Sequence, residues 1–207
     1  MRTNVYIDGF NLYFGAVKGT PYKWLDLEKL CRFALPEHKI NRIRYFTAPV
    51  ENTPDDPGKS ARQAIYLRAL ATIPNLTIKK GLFLTHNVRL PLASPPANGP
   101  RTVEVTKREE KGSDVNLATA LLVDAFDGDF ELAVVVSNDS DLVEPINVVR
   151  TRLGLPVGVL NPHQRQSREL EKVATFCRHI RTRLLSSCQF PDTLEDEHGV
   201  IRKPATW

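Results

Sequence analysis

Four aspartates define the chemistry open to this chain. Asp8 ends the run Val5-Tyr6-Ile7-Asp8-Gly9-Phe10-Asn11. Asp114 lies in Lys111-Gly112-Ser113-Asp114-Val115-Asn116. Asp139 and Asp141 follow Val134-Val135-Val136-Ser137-Asn138. Each stands where a strand-like run ends or a helix-like pattern begins. Brought together, such carboxylates are unstable unless protons or a cation neutralise them. They suit the hard cations Mg²⁺ or Mn²⁺, and the matching chemistry is metal-assisted hydrolysis of a phosphodiester.

The elements that must position these acids alternate along the chain. Asn4 to Ile7, Ile43 to Thr47, Leu76 to Lys80, Leu132 to Ser137 and Val157 to Leu160 read as strands. Their near-continuous apolar character suits parallel strands covered on both faces. Helical patterns lie between them. Asp26 can cap a helix through Leu35 that Pro36 stops. Further helices are expected over Ser60 to Thr72, Asp114 to Phe126, Asp141 to Arg152 and, as one long helix, Ser167 to Leu185. Thr85 to Pro100 reads as a proline-rich loop or small hairpin. Repeated strand–helix–strand order predicts a Rossmann-like three-layer α/β/α sandwich with a mainly parallel central sheet.

That fold brings the acids to one edge, because ligands of open α/β sheets bind beyond the carboxyl ends of the strands. Asp8 ends the first strand, and Asp139 and Asp141 follow the fourth. With about 3.6 residues per turn, Asp114 falls within the apolar stripe Leu117, Ala118, Leu121, Leu122 and Ala125 of its helix, and so faces the sheet. Each acid also has a structural reading. Asp8 before Gly9 suits a turn, and Asp114 and Asp141 suit helix N-caps. It is their joint placement that favours a site.

The chain has 207 residues, 42% of them hydrophobic, enough for one core. The expected division is a domain over 1–186 and a tail over 187–207. Three widely spaced cysteines, Cys31, Cys177 and Cys188, have no metal-type spacing and read as reduced thiols, which suits the cytoplasm. No apolar run approaches a membrane span. The net charge of +4 permits a polyanionic partner without requiring one.

Three segments, Tyr6-Ile7-Asp8-Gly9-Phe10-Asn11-Leu12, Glu110-Lys111-Gly112-Ser113-Asp114-Val115 and Val136-Ser137-Asn138-Asp139-Ser140-Asp141-Leu142, resemble in order the NYN domain family, a LabA-like bacterial group related to PIN-domain nucleases. The resemblance covers about Met1 to Leu185. It implies a PIN-like fold and a Mg²⁺- or Mn²⁺-dependent ribonuclease. Its metal-binding acids map onto Asp8, Asp114, Asp139 and Asp141, and RNA is the implied partner. A homodimer is compatible with the family's habits. Many members carry an acid where this chain has Ala120. Asp124, one turn further on, is expected at the surface.

Among polar neighbours, Asn11 and Ser137 are candidates to orient water or a phosphate oxygen. Lys107, Arg108 and Lys111 adjoin the second motif and are the expected phosphate contacts. Tyr13 and Phe14 suit either base stacking or the core. His163 is a weaker phosphate candidate. The main rival class is a non-catalytic RNA-binding or regulatory module, which the missing acid at Ala120 keeps open. A haloacid-dehalogenase-type phosphatase would need an acid where Phe10 stands. A dinucleotide enzyme would need a Gly-rich first turn that the chain lacks.

Overall fold

The computed structural model describes residues 1–207. The chain runs β1 (Arg2–Asp8), α1 (Gly9–Leu12) continuing as a π-helical turn (Tyr13–Val17), α2 (Leu27–Ala34), β2 (Lys39–Thr47), α3 (Lys59–Ala71) and β3 (Leu76–Lys80). Two long strands follow, β4 (Leu82–Pro91) and β5 (Thr102–Lys111), and then α4 (Ser113–Phe126) and β6 (Leu132–Val136). A 3-10 turn (Ser140–Leu142) leads into α5 (Val143–Arg152), β7 (Val157–Asn161), α6 (Arg168–Val173), β8 (Phe176–His179), α7 (Thr182–Ser187), β9 (Thr193–Asp196) and β10 (Gly199–Arg202).

Six strands form one parallel sheet in the order β3-β2-β1-β6-β7-β8, with helices on both faces. Side-chain alternation explains the two layers. Val5, Ile7, Val134 and Val136 point into one core, with Trp24, Leu27, Leu30, Leu67 and Leu70. Tyr6, Ala133 and Val135 point into the other, with Leu117, Leu121, Ile146, Val149 and Leu170. The middle strands are buried on both faces, which is why their sequences read as unbroken apolar runs. No helix is long and apolar enough to cross a membrane.

The helix starts follow local chemistry. Asp26 Oδ1 accepts from the Lys29 amide at 3.1 Å, so α2 begins as expected. Ser167 Oγ accepts from the Leu170 amide and starts α6. That helix does not run on to Leu185. Ala174 turns extended, and the Thr175 amide donates to Val157 at 2.7 Å. Phe176–His179 then adds a sixth strand beside β7, so Cys177 sits in a strand rather than a helix.

The proline-rich segment is a longer excursion than its sequence suggests. β4 and β5 pair antiparallel over ten residues each, from Leu82–Lys111 to Pro91–Thr102, with Leu92 to Arg101 at the tip. β9 and β10 form a hairpin that returns to the body. The Trp24 indole donates to the Pro191 carbonyl at 2.8 Å, and Arg68 holds Asp196 and the Gly199 carbonyl. Phe190, Ile201 and Trp207 pack on the core that contains Trp24.

Candidate functional site

Strand order reverses between β1 and β6: from β1 the chain builds outward to β2 and β3, and from β6 outward to β7 and β8 on the other side. A parallel sheet opens a crevice at such a switch point, beyond its carboxyl ends. Asp8 ends β1, and Ser137 to Asp139 leave β6 beside it.

Hydrogen bonds tie these two strand ends into one unit. Asp8 caps α1, its Oδ1 accepting from the Asn11 amide at 2.9 Å. Ser137 Oγ donates to Asp8 Oδ2 at 3.0 Å and accepts from the Asp139 amide at 3.1 Å. Asn11 Oδ1 accepts from the Asn138 amide at 2.9 Å. Asp139 Oδ1 caps the 3-10 turn by accepting from the Asp141 amide at 3.0 Å. Asn138 reaches onward to the Arg165 carbonyl and the Ser167 amide. Gly9 permits the tight start of α1: a Cβ there would lie 2.6 Å from the Tyr45 hydroxyl and 2.7 Å from the Phe46 carbonyl.

Asp8, Asp114 and Asp139 line one cleft of about 850 Å³, together with Asn11, Arg108 and His163. Two further acids line the cleft: Asp56, and Glu110, whose Oε1 accepts from the Ser113 amide at 3.0 Å. Glu110 lay inside the second motif, but nothing marked it as facing the site. The strand alternation of β5 supplies the signal once the hairpin is known. Arg108 and Glu110 share one face. Lys107, Glu109 and Lys111 share the other, where Glu109 pairs with both lysines. Of the three expected phosphate contacts, Arg108 alone lines the cleft. Lys23, Lys59 and Arg62 add positive charge to its walls, with Arg62 held by Asp56 at 2.5 Å. Asp141 is exposed outside the lining, and Ser137 is fully buried behind Asp8.

Crowding of acids leaves an electrostatic mark. Burial raises the Asp8 carboxyl above its usual range, opposed by the Asn11 and Ser137 hydrogen bonds, and the charge of Asp139 raises it further. The Asp114 carboxyl is pushed up to about 6, first by burial and then by Asp8, Asp139, Glu110 and Asp141. An acid whose pKa rises on folding stabilises the fold below its unfolded value, and that contribution is lost as pH rises through the folded value. The metal-free protein should therefore lose stability as pH climbs from about 4 to about 6. Asp114→Asn should remove part of that slope. Urea midpoints in EDTA on either side of pH 6 test this; parallel curves for the two proteins would contradict it.

Asp124 is not at the surface. Its side chain is 6% exposed, and it accepts from Tyr6 Oη at 2.8 Å and pairs with Arg44 at 2.6 Å. It belongs to the sheet face covered by α4 and lies outside the acidic cleft. Ala120 lines a smaller depression beside Asp124, also away from the cleft.

The chain matches the NYN domain model over residues 2–181. It is 33% identical, across its whole length and 75% of the relative's, to 6-hydroxy-3-succinoylpyridine 3-monooxygenase HspA of Pseudomonas putida. The crystal structure of a protein of unknown function from Vibrio parahaemolyticus superposes with a TM-score of 0.53 at 16% identity, covering 87% of this chain and 93% of that one. At that identity the likeness concerns the fold alone. The match across nearly the whole α/β body makes this chain a member of the NYN domain family, whose fold is nuclease-like.

Proposed function

We propose that this protein is a divalent-metal-dependent endoribonuclease. The observation that carries the proposal is the gathering of Asp8, Glu110, Asp114 and Asp139 in one cleft at the switch point, beside Arg108. All the donors are hard oxygens, the set that suits Mg²⁺ or Mn²⁺. The raised Asp8 and Asp114 carboxyls fit a group that a cation would relieve. No three of these side chains stand within joint ligating reach as placed, so binding requires them to close on the ion.

Asp8, Asp114 and Asp139 would hold the cation, and Asp141, which stands outside the lining, would have to turn inward to serve as a further ligand or to orient the attacking water. Mg²⁺ or Mn²⁺ supplies charge neutralisation at the phosphoryl oxygens and a more acidic water. Asn11 and Ser137 act one step back: they fix the Asp8 carboxylate and the Asn138–Asp139 backbone. Arg108 and Lys59 neutralise flanking phosphates, which contributes affinity without reading sequence.

A second reading, a non-catalytic RNA-binding module, is favoured by the spread of the carboxylates; Ala120, away from the cleft, does not bear on it. Incubating purified protein with a pool of single-stranded and structured RNA separates the two. Cutting with Mn²⁺ or Mg²⁺, abolished by EDTA, is expected. RNA retained without any cutting would establish the binding module instead.

A further inference from the structure

Five phenylalanines belong to neither core of this protein, and two of them, Phe33 and Phe126, stand exposed elsewhere on the surface. Phe10, Phe14 and Phe83 are absent from both apolar clusters and pack instead on one another. Phe10 and Phe14, four residues apart, stack at 6.5 Å with 22° between their planes. Phe83, delivered by β4, meets Phe10 edge-on at 5.6 Å and 88°. The Lys18 ammonium stands 5.0 Å from the Phe14 ring centre. Phe14 leaves 54% of its surface in solvent. All three rings line the cleft that contains Asp8, Asp114 and Asp139.

Position makes this group more than leftover apolar surface. Phe10 lies two residues beyond Asp8, within the helix that Asp8 caps. Phe83 stands opposite Glu110 in the hairpin ladder, so one pair supplies a ring and an acid to the same cleft. Acids at one end, a ring wall beside them and cations around the rim suit a ligand that carries both phosphate and a planar ring.

Resting on the ribonuclease reading, we infer that Phe14, with Phe10 and Phe83, forms a stacking subsite for one unpaired nucleobase next to the phosphodiester at the acids. A base inside a duplex keeps both faces against its neighbours and cannot reach a protein ring without leaving the stack. The subsite therefore selects single-stranded RNA. It tolerates sequence, because every base offers a π face. A free nitrogen heterocycle shares this ring chemistry, so the test must separate a base within a strand from a small ring alone.

The experiment is binding of a short RNA carrying one 2-aminopurine to the full chain in EDTA, where metal-dependent cutting is off. Quenching of the probe on binding and weak binding of the annealed duplex are expected. Phe14→Ala should weaken single-strand binding by roughly 5- to 100-fold and abolish quenching, the range for losing one base–aromatic stack. Phe14→Trp should restore both. Equal affinity and quenching in Phe14→Ala and Phe83→Ala, with circular dichroism unchanged, would overturn the subsite. So would equal binding of the duplex, or displacement of the RNA by nicotinamide at matched concentration. The ribonuclease reading is judged separately, by cutting with Mn²⁺. Quenching without cutting leaves the subsite standing and removes the nuclease, whereas cutting with unchanged Phe14→Ala binding does the reverse.

Discussion

Asp139→Asn and Asp8→Asn should each lower Mn²⁺-dependent RNA cleavage by at least about 10²-fold, the size of loss seen when one preorganised charge contact to a transition state is removed. The structure explains why the fold should survive. Asparagine at position 8 keeps an Oδ1 that can accept from the Asn11 amide, and at position 139 one that can accept from the Asp141 amide. Asparagine is among the preferred N-caps. Burial already disfavours the Asp8 charge, so a neutral side chain there relieves strain in the metal-free protein. What each variant loses is a negative oxygen in the cleft. Cleavage rates at saturating RNA, read with thermal melts in EDTA, decide the matter. Normal cleavage by both variants would remove these residues from the active site, and a collapsed melt would show that they serve the fold.

The largest effect on stability should come from the opposite side of the sheet. Asp124→Ala removes the acceptor of the Tyr6 hydroxyl and the partner of Arg44 together. Tyr6 is fully buried and Arg44 is only 25% exposed, so water replaces little of what is lost. Breaking a buried pair from one side costs about 3–5 kcal/mol, which for a domain of this size lowers the melting temperature by on the order of 10 °C. Tyr6→Phe, which keeps the ion pair and deletes one hydrogen bond, should cost only about 1 kcal/mol. Urea denaturation of both variants tests the ranking. A smaller loss in Asp124→Ala than in Tyr6→Phe would show that the pair is solvated after all.

Asp124 also shows where sequence reasoning ends. A charged residue near the end of a helix defaults to solvent, and its partners lie 80 and 118 positions away on two strands, β2 and β1. No local pattern carries that information. The central strands were legible because burial on both faces leaves an unbroken apolar run such as Leu132–Val136. β8 was not: it is the sheet's edge, only half-buried, and Phe-Cys-Arg-His has neither a period nor a turn signal to separate it from the capped helix before it. A small hairpin was one of the two readings of the proline-rich segment, but the length of the β4–β5 ribbon escaped for a related reason. Its support is its own ladder rather than a buried face, so it imprints little hydrophobic rhythm. The meeting of Asp8, Asp114 and Asp139 in one cleft followed from strand ends and one helical stripe, both short-range features. Glu110 and the opposed faces of Lys107 and Arg108 required the ribbon's register, which no short-range feature encodes.

The carboxylates hang from parts of unequal firmness. Asp8 and Asp139 are fixed to β1 and β6, the innermost strands, whose amides should exchange with deuterium only when the whole domain opens. Asp114 rides on the first turn of α4, joined through Gly112, at a φ of +94°, to a solvent-exposed ribbon that can open by itself. Two oxygen-bearing groups thus hang from the centre of the sheet, and the third from a helix start beside the exposed ribbon, the position with the most freedom to shift. Mg²⁺ wants oxygens at about 2.0–2.1 Å and Ca²⁺ at about 2.3–2.6 Å. In the proposed metal site, a coordination shell with one movable side would adapt to ionic radius instead of selecting it, and discrimination among divalent ions would fall to their hydration and Lewis acidity.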